Sequence, residues 1–500
     1  MITRRTVLTS ALGFPAILRA QAAARPNILF AIADDQSWLH TSAAGEKSVR
    51  TPALDRVASL GVRFNQAFCA SPGCAPSRAA ILTGKYPWQL REAGTHASLF
   101  PRDLTVYPEI FEKAGYFAGL TGKGAGPCNF KDAGWPHNPA GRPFDKHKLK
   151  PPAPGINSND YAANFSDFLS QKPKDQPFCF WYGGHEPHRG YDRGLGLRSG
   201  KQLAGVTVPA FLPDTPEVRS DILDYLTEIE HFDLHLQRML DALEKSGQLE
   251  NTIVAVTGDN GMSFPGAKAR MREYGIHEPL AICWPARAKG GRVSDELISL
   301  TDLAPTYYAA AGIAPPDGMV GRSLLPLLAD NKPLNRAFVL SGRERHSHAR
   351  GDLLGYPARA LRNRNYLYVR NFAPDRWPAG DPPAFHDVDD GPTHKLMLER
   401  QADPAIVPSF QAGYGKCPAE ELFDIRTDPG CLTNLAREPR IRGILAELRR
   451  TLTAQLKAQG DPRLGPNPNI WESYPRYSPT RPALGGFAAE GKYNPAYANK

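Results

Sequence analysis

Short apolar runs recur along the chain, and four of them end in polar residues of an unusual kind. "NILFAIADD" (27–35) runs into two aspartates, and "YFAGLTGKG" (116–124) into a lysine. "FCFWYGGHEPH" (178–188) ends in histidines and "TIVAVTGDNG" (252–261) in Asp-Asn-Gly. Continuous apolar runs of this length, bounded by Gly and Asp, predict strands buried on both faces. Between them the apolar period lengthens to that of helices. "PALDRVASLG" (52–61) carries Pro52 at a first turn and Gly61 at a stop. "YPEIFEKAG" stops at Gly115, 217–247 predicts a long amphipathic helix, and 300–312 predicts another.

Strands alternating with helices imply an α/β fold, a mostly parallel sheet sandwiched by helices. Ligands of such sheets bind outside the carboxyl ends of the strands. Asp34, Asp35, Lys123, His185, Asp259 and Asn260 all fall there, so they are expected to converge on one site. Near residue 340 the pattern changes. Segments 355–372 and 421–430 predict antiparallel strands, and 440–460 an amphipathic helix. The expected organisation is a catalytic domain over 25–340, a smaller C-terminal α+β subdomain over 341–460, and an irregular Pro/Tyr/Gly-rich tail over 461–500, wrapped on the surface or partly disordered. A chain of 500 residues is long enough for such a division.

Residues 1–24 predict an export signal. Arg4 and Arg5 precede an apolar run from Val7 to Leu18, followed by small residues around Ala20, Ala22 and Ala24. The paired arginines point to the twin-arginine route, with an ordinary secretory signal as the alternative. The expected location is periplasmic or extracellular, and no later stretch has the apolar length of a spanning helix. The net charge of +9 fits an anionic partner, but no nucleic-acid-binding motif accompanies it. Seven cysteines are too sparse for a disulfide scaffold and odd in number. Cys417 and Cys431 are the plausible local pair outside the first domain.

The strand ends carry chemistry. Asp34, Asp35, Asp259 and Asn260 offer only oxygen ligands, which suit a hard cation, and the carboxamide of Asn260 favours Ca²⁺. Lys123, His185, His188 and Lys268 could hold sulfate or phosphate beside it, although Lys268 taken alone reads as a solvated loop lysine. Cys74 precedes a short helix expected over 77–83. A thiolate at a helix N-terminus is plausible chemistry, but neither that reading nor a buried structural cysteine explains Pro76 and Arg78.

"CAPSRAAILTGKYP" (74–87) resembles the C-x-P-S-R signature of the formylglycine sulfatases, members of the alkaline-phosphatase-like superfamily. The Asp-Asp, Gly-Lys, His-x-Pro-His and Asp-Asn-Gly segments follow in that family's order. The resemblance implies that a formylglycine-generating enzyme, or its anaerobic counterpart, converts Cys74 to formylglycine. It implies one Ca²⁺ held by Asp34, Asp35, Asp259, Asn260 and the side chain at Cys74. It matches Arg78 and Lys123 to residues that orient the formylglycine, and His185 and Lys268 to residues that bind sulfate and protonate the leaving group. One departure stands out: the family's Gly-Lys-x-His reads Gly-Lys-Gly-Ala here, with Ala125 at the histidine's place. His137 and His147 are the candidate substitutes.

"FLPDTPEVRSDILDYLTEIEHFD", "DNGMSFPGAKA" and "HEPHR" further resemble the N-sulfoglucosamine sulfohydrolases, which act on heparan sulfate, and related sulfatases of O-sulfated algal polysaccharides. His188, His346 and His348 are then candidate contacts to a sulfated saccharide. A phosphomonoesterase or phosphonate hydrolase of the same superfamily, and an inactive saccharide-binding homologue, are the alternatives.

Overall fold

Asn27–Ala33 (β1) shows how the first sheet is built. Its side chains alternate between two faces: Ile28, Phe30 and Ile32 enter one apolar cluster, while Leu29, Ala31 and Ala33 enter another. A strand buried on both sides must lie inside a sheet covered by helices on both faces. The computed structural model describes residues 25–498, so the expected export signal lies outside the described residues.

The other strands of this sheet are β2 (Val62–Phe68), β3 (Phe117–Gly122), β4 (Phe178–Gly183), β5 (Thr252–Gly258), β6 (His277–Cys283), β7 (Arg292–Ser294) and β8 (Ile298–Ser299). Their order is β3-β4-β1-β5-β6-β2-β7, with β8 also on β2. The four strands read from the sequence lie side by side and parallel, with Ile28 opposite Cys179 on one side and Ile253 on the other. Beyond β5 the sheet is mixed, because β6 runs antiparallel to both β5 and β2. The fold is the expected mostly parallel α/β sandwich.

Six helices are labelled here: α1 (Pro52–Leu60), α2 (Cys74–Thr83), α3 (Tyr107–Lys113), α4 (Tyr161–Gln171), α5 (Leu195–Arg198) and α6 (Pro216–Lys245). One face of the sheet packs Ala53, Leu54 and Val57 of α1, Phe165 and Phe168 of α4, and Leu236, Met239 and Leu240 of α6. The other face packs α2 and α3. Among the described residues no helix is long and apolar enough to cross a membrane.

A second sheet holds β9 (Phe338–Arg343), β10 (Ala358–Asn363), β11 (Tyr366–Asn371) and β12 (Glu420–Asp424), antiparallel in the order β12-β11-β10-β9. The helix Arg442–Ala458 covers it with a stripe of Leu445, Leu448, Leu452 and Leu456. These residues and the first sheet share one continuous apolar cluster. The segment from 461 is irregular, with short 3₁₀ turns at Pro462–Leu464 and Ile470–Ser473. Its first part is interior rather than superficial: Asp461, Arg463, Trp471 and Glu472 are buried. All seven cysteines are free thiols. Cys417 and Cys431 are therefore unpaired, and the Cys417 sulfur instead accepts a hydrogen bond from Arg270 at 3.2 Å.

Candidate active site

The four parallel strands end at one edge, and their continuations are stitched together. Asp34 N donates to Glu186 O, Lys123 N to Gly183 O, and Asp259 N to Ala33 O. Gly183 permits the closest of these approaches, since a Cβ there would lie 1.8 Å from Lys123 O. Asp35 adopts φ 76°, a left-handed turn that Asp tolerates better than most residues. Its backbone N–H then reaches Asp259 Oδ1 at 3.0 Å. The turn costs about 1 kcal/mol and brings two consecutive acids to one spot.

α2 begins at Cys74 itself, three residues earlier than expected. Pro76 does not delay the helix, because the N–H groups of a first turn have no intrahelical partner to lose. Gly73 precedes the helix and lies against His346, with a Cβ there only 3.0 Å from its ring. Every residue of α2 is buried. Ser77 Oγ donates to Asp259 O at 2.6 Å, which pins the helix to the end of β5.

Arg78 organises the floor. Its Nε donates to Asp259 Oδ2 and its Nη1 to Lys123 O, both at 2.7 Å, and its Nη2 lies 3.8 Å from Asp34 Oδ1. Lys123 Nζ donates to Asp34 Oδ2 at 2.5 Å. Asn260 Nδ2 donates to Asp35 Oδ1 at 2.8 Å. Lys268 is no solvated loop lysine: it is 5% exposed, and its Nζ bridges Asp35 Oδ2 at 2.7 Å and Asp389 Oδ2 at 2.8 Å. Burial opposes its charge, but Asp35 and Asp389 outweigh burial and hold its pKa well above the usual value. Burial likewise works against the Asp34 carboxylate, yet Lys123, His188 and Arg78 keep it well below the usual carboxylate range.

These residues fit a hard cation. Asp34 Oδ1 and Asn260 Oδ1 are buried acceptors without a hydrogen-bond partner. Ligand atoms of Asp34, Cys74 and Asp259 lie within 4.8 Å of one another. Orphaned oxygens in a dry site cost free energy, and a cation among them would remove that cost. Without one, burial and the neighbouring Asp34 raise Asp259 to about 6, against the pull of Arg78.

Above this floor lies a cavity of about 480 Å³ lined by Asp34, Cys74, His96, Lys123, His185 and His188, among others. Burial, and next Lys123, lower the His185 pKa to about 4. Burial pushes the Cys74 thiol up to about 11, so it is no thiolate at neutral pH.

His137 and His147, the proposed substitutes for a histidine at Ala125, are elsewhere. His137 Nδ1 meets Asn138 O, and His147 Nε2 lies 4.0 Å from Asp167. His96 instead comes within 3.5 Å of Cys74 Sγ through its Nε2. Its ring lies 4.6 Å from that of His346, whose Nδ1 is 3.7 Å from the buried Asp387. His346 thus backs the site. His348 is fully buried, with Nδ1 accepting from Arg481 N, and does not line the cavity. Sequence reasoning missed His96 and Asp389. Neither ends a strand: "AGTHASL" and "HDVDDG" look like ordinary loops, and only the tertiary fold brings them in.

Residues 26–313 match the family described as Sulfatase. The chain belongs to the sulfatase family. It is accordingly a sulfuric ester hydrolase. It is 28% identical over 448 residues to an ulvan-active sulfatase of Formosa agariphila, covering 87% of this chain and 81% of the relative. It is 29% identical over 465 residues to the N-sulphoglucosamine sulphohydrolase of Homo sapiens, covering 85% and 89%. In fold it resembles a protein solved with its substrate D-glucosamine-2-N,6-O-disulfate, with a TM-score of 0.65, 20% identity and coverage of 87% and 98%. The phosphonate monoester hydrolase of Agrobacterium radiobacter shares the fold at a TM-score of 0.61 and 18% identity, with coverage of 88% and 97%.

Proposed function

We propose that this sulfatase is an exported, calcium-dependent enzyme that removes sulfate from a sulfated saccharide, with Cys74 matured to formylglycine. One observation carries the reading. Cys74 opens α2 at the point where Asp34, Asp259, Lys123 and Arg78 converge, yet its thiol is held protonated. A thiol of that kind is a poor nucleophile, which leaves the attack on sulfur to a group made from Cys74. The saccharide class is supported by the relatives, which are named for ulvan and for N-sulphoglucosamine. N-sulfoglucosamine of heparan sulfate and an O-sulfated algal sugar are the two candidate substrates.

Position 74, as hydrated formylglycine, would supply one hydroxyl as the nucleophile and a second for the release of sulfate. Asp34, Asp35, Asp259, Asn260 and the side chain at position 74 would hold a calcium ion, which would supply positive charge beside the sulfate oxygens. Lys123 and Lys268 add fixed ammonium groups, already paired and desolvated, so little reorganisation accompanies reaction. Arg78 holds Asp259 and the end of β3 in place. His185 gives a proton to the departing oxygen or nitrogen. A sulfate beside it offsets the burial and the Lys123 charge that keep it neutral, and so raises its proton affinity on binding.

The test joins peptide mass spectrometry to a desulfation screen. Active preparations should show Cys74 converted from thiol to aldehyde. They should release sulfate from N-sulfated glucosamine, sulfated uronic acid, or sulfated rhamnose or galactose oligosaccharides. Cys74→Ala should abolish release while leaving the thermal midpoint unchanged. A chelator should remove activity and calcium restore it. Full activity with an intact thiol sinks the formylglycine mechanism, and turnover of phosphonate monoesters alone sinks the substrate class.

A further inference from the structure

Lys268 is shared by two carboxylates, and only one of them belongs to the proposed cation site. Its Nζ donates to Asp35 Oδ2 at 2.7 Å and to Asp389 Oδ2 at 2.8 Å. These are its two ion pairs among the described residues. The one ion pair of Asp389 among those residues is with Lys268. The two sides are anchored independently. Lys268 N donates to Met262 O and Ala269 N to Pro72 O, which ties the lysine loop to the segment just before Cys74. On the other side Asp387 is buried, and its carboxylate binds Arg343 and Arg350, which fixes the loop that presents Asp389. Asp389 lies outside residues 26–313, the segment that matches the family.

The lysine and a cation would compete for Asp35. Both oxygens of that carboxylate already carry a donor, Asn260 Nδ2 on Oδ1 and Lys268 Nζ on Oδ2. A calcium ion arriving there would meet an ammonium on the same anion, and like charges so close together in a dry site repel strongly. Ligand atoms of Asp35, His188 and Asp389 lie within 4.8 Å of one another, a spacing that could itself hold a metal. The ammonium of Lys268 already touches two of the three, as a cation tethered to the chain. On calcium binding it must loosen its hold on Asp35, and a buried ammonium without a partner is costly. Asp389 is in hydrogen-bond reach already, so the charge can pass to it without movement of the backbone.

We propose that Asp389 is a positioning residue for the cation: it holds Lys268 when calcium takes Asp35, so the ammonium stays beside the site without competing for that ligand. The inference rests on the calcium reading above and extends it to a residue that the C-terminal part of the chain supplies.

The test is calcium binding to the chelator-stripped full-length protein, followed by calorimetry. Asp389→Asn leaves Lys268 with Asp35 alone and should weaken calcium about tenfold. The Asp389 side chain is 25% exposed, so asparagine is accommodated there. Asp389→Glu should recover most of the loss. Lys268→Met removes the competitor and should by itself tighten calcium. In that background Asp389→Asn should change the affinity less than about twofold, because the two residues act as one unit. An aspartate that worked only by adding negative charge nearby would cost the same with and without Lys268. Equal losses in the two backgrounds, no loss in either, or weaker calcium in Lys268→Met overturns the proposal and leaves the calcium reading standing. Absence of calcium binding to the parent chain overturns both.

Discussion

His96 shows what one side chain can supply when the expected one is missing. Ala125 leaves no imidazole on the lysine strand end, and the sequence offered only His137 and His147 in its place. The structure brings His96 to 3.5 Å from Cys74 Sγ from a loop 22 residues further along the chain. Burial, and then His346 and Arg476, keep its pKa well below the ordinary histidine value, so the ring is neutral. A neutral imidazole beside the nucleophile can accept a proton from it. His96→Ala should lower kcat about 10²-fold with little change in KM, and added imidazole should recover part of the loss. Equal kcat in the variant and the parent chain would remove His96 from the mechanism. The ligand-bearing residues were legible because each ends an apolar run. His96 and Asp389 were not, because nothing local marks a loop residue that long-range packing delivers to a site.

Elements were legible in proportion to their periodicity. β1, β3, β4 and β5 could be read from unbroken apolar runs, whereas β2, with Arg63, Asn65 and Gln66 among its seven residues, could not. α6 could be read for its length, but its sequence does not reveal how thoroughly its polar residues are buried. His231 and His235 lie four apart on it, 9% and 0% exposed. Burial lowers their pKa values to about 4 and about 3; Arg238 adds to this and Asp160 opposes it. Unfolded, each takes a proton near 6.5. Between these values the unfolded chain binds more protons than the folded one. The stability contributed is therefore complete above about pH 6.5 and lost as pH falls towards 4. The thermal midpoint should drop by several degrees between pH 7 and pH 5, and His235→Gln should flatten that slope. A slope unchanged by His235→Gln would place the acid sensitivity elsewhere.

At the scale of the whole molecule, the two sheets and the C-terminal segment behave as one body, and the last forty residues matter most to that. Arg359 Nε and Nη2 donate to Asp461 at 2.7 and 3.0 Å, and Arg463 binds both Glu344 and Glu472. All five groups are buried. The segment then reaches the wall behind the site. Arg345 donates to Tyr474 O and Pro475 O, and Arg476 donates to His346 O, next to the ring that faces His96. A Pro-rich composition suggested a surface strap, because sequence shows flexibility and polarity but not which arginine a distant aspartate will meet. A chain ending at Gly460 would take Asp461 from Arg359 and Arg463 from Glu344, leaving those two paired only with each other at 2.7 Å. Losing the buried Trp471 side chain costs about 3–5 kcal/mol, and the lost ion pairs to Asp461 and Arg463 add to that. That loss is a large fraction of the whole stability of a typical domain. Truncation at Gly460 should therefore give insoluble protein or abolish cooperative unfolding. Trp471→Ala in the full chain should lower the thermal midpoint while leaving a folded, weaker enzyme. A truncated chain that unfolds at the parent temperature would show that the segment is dispensable to the core.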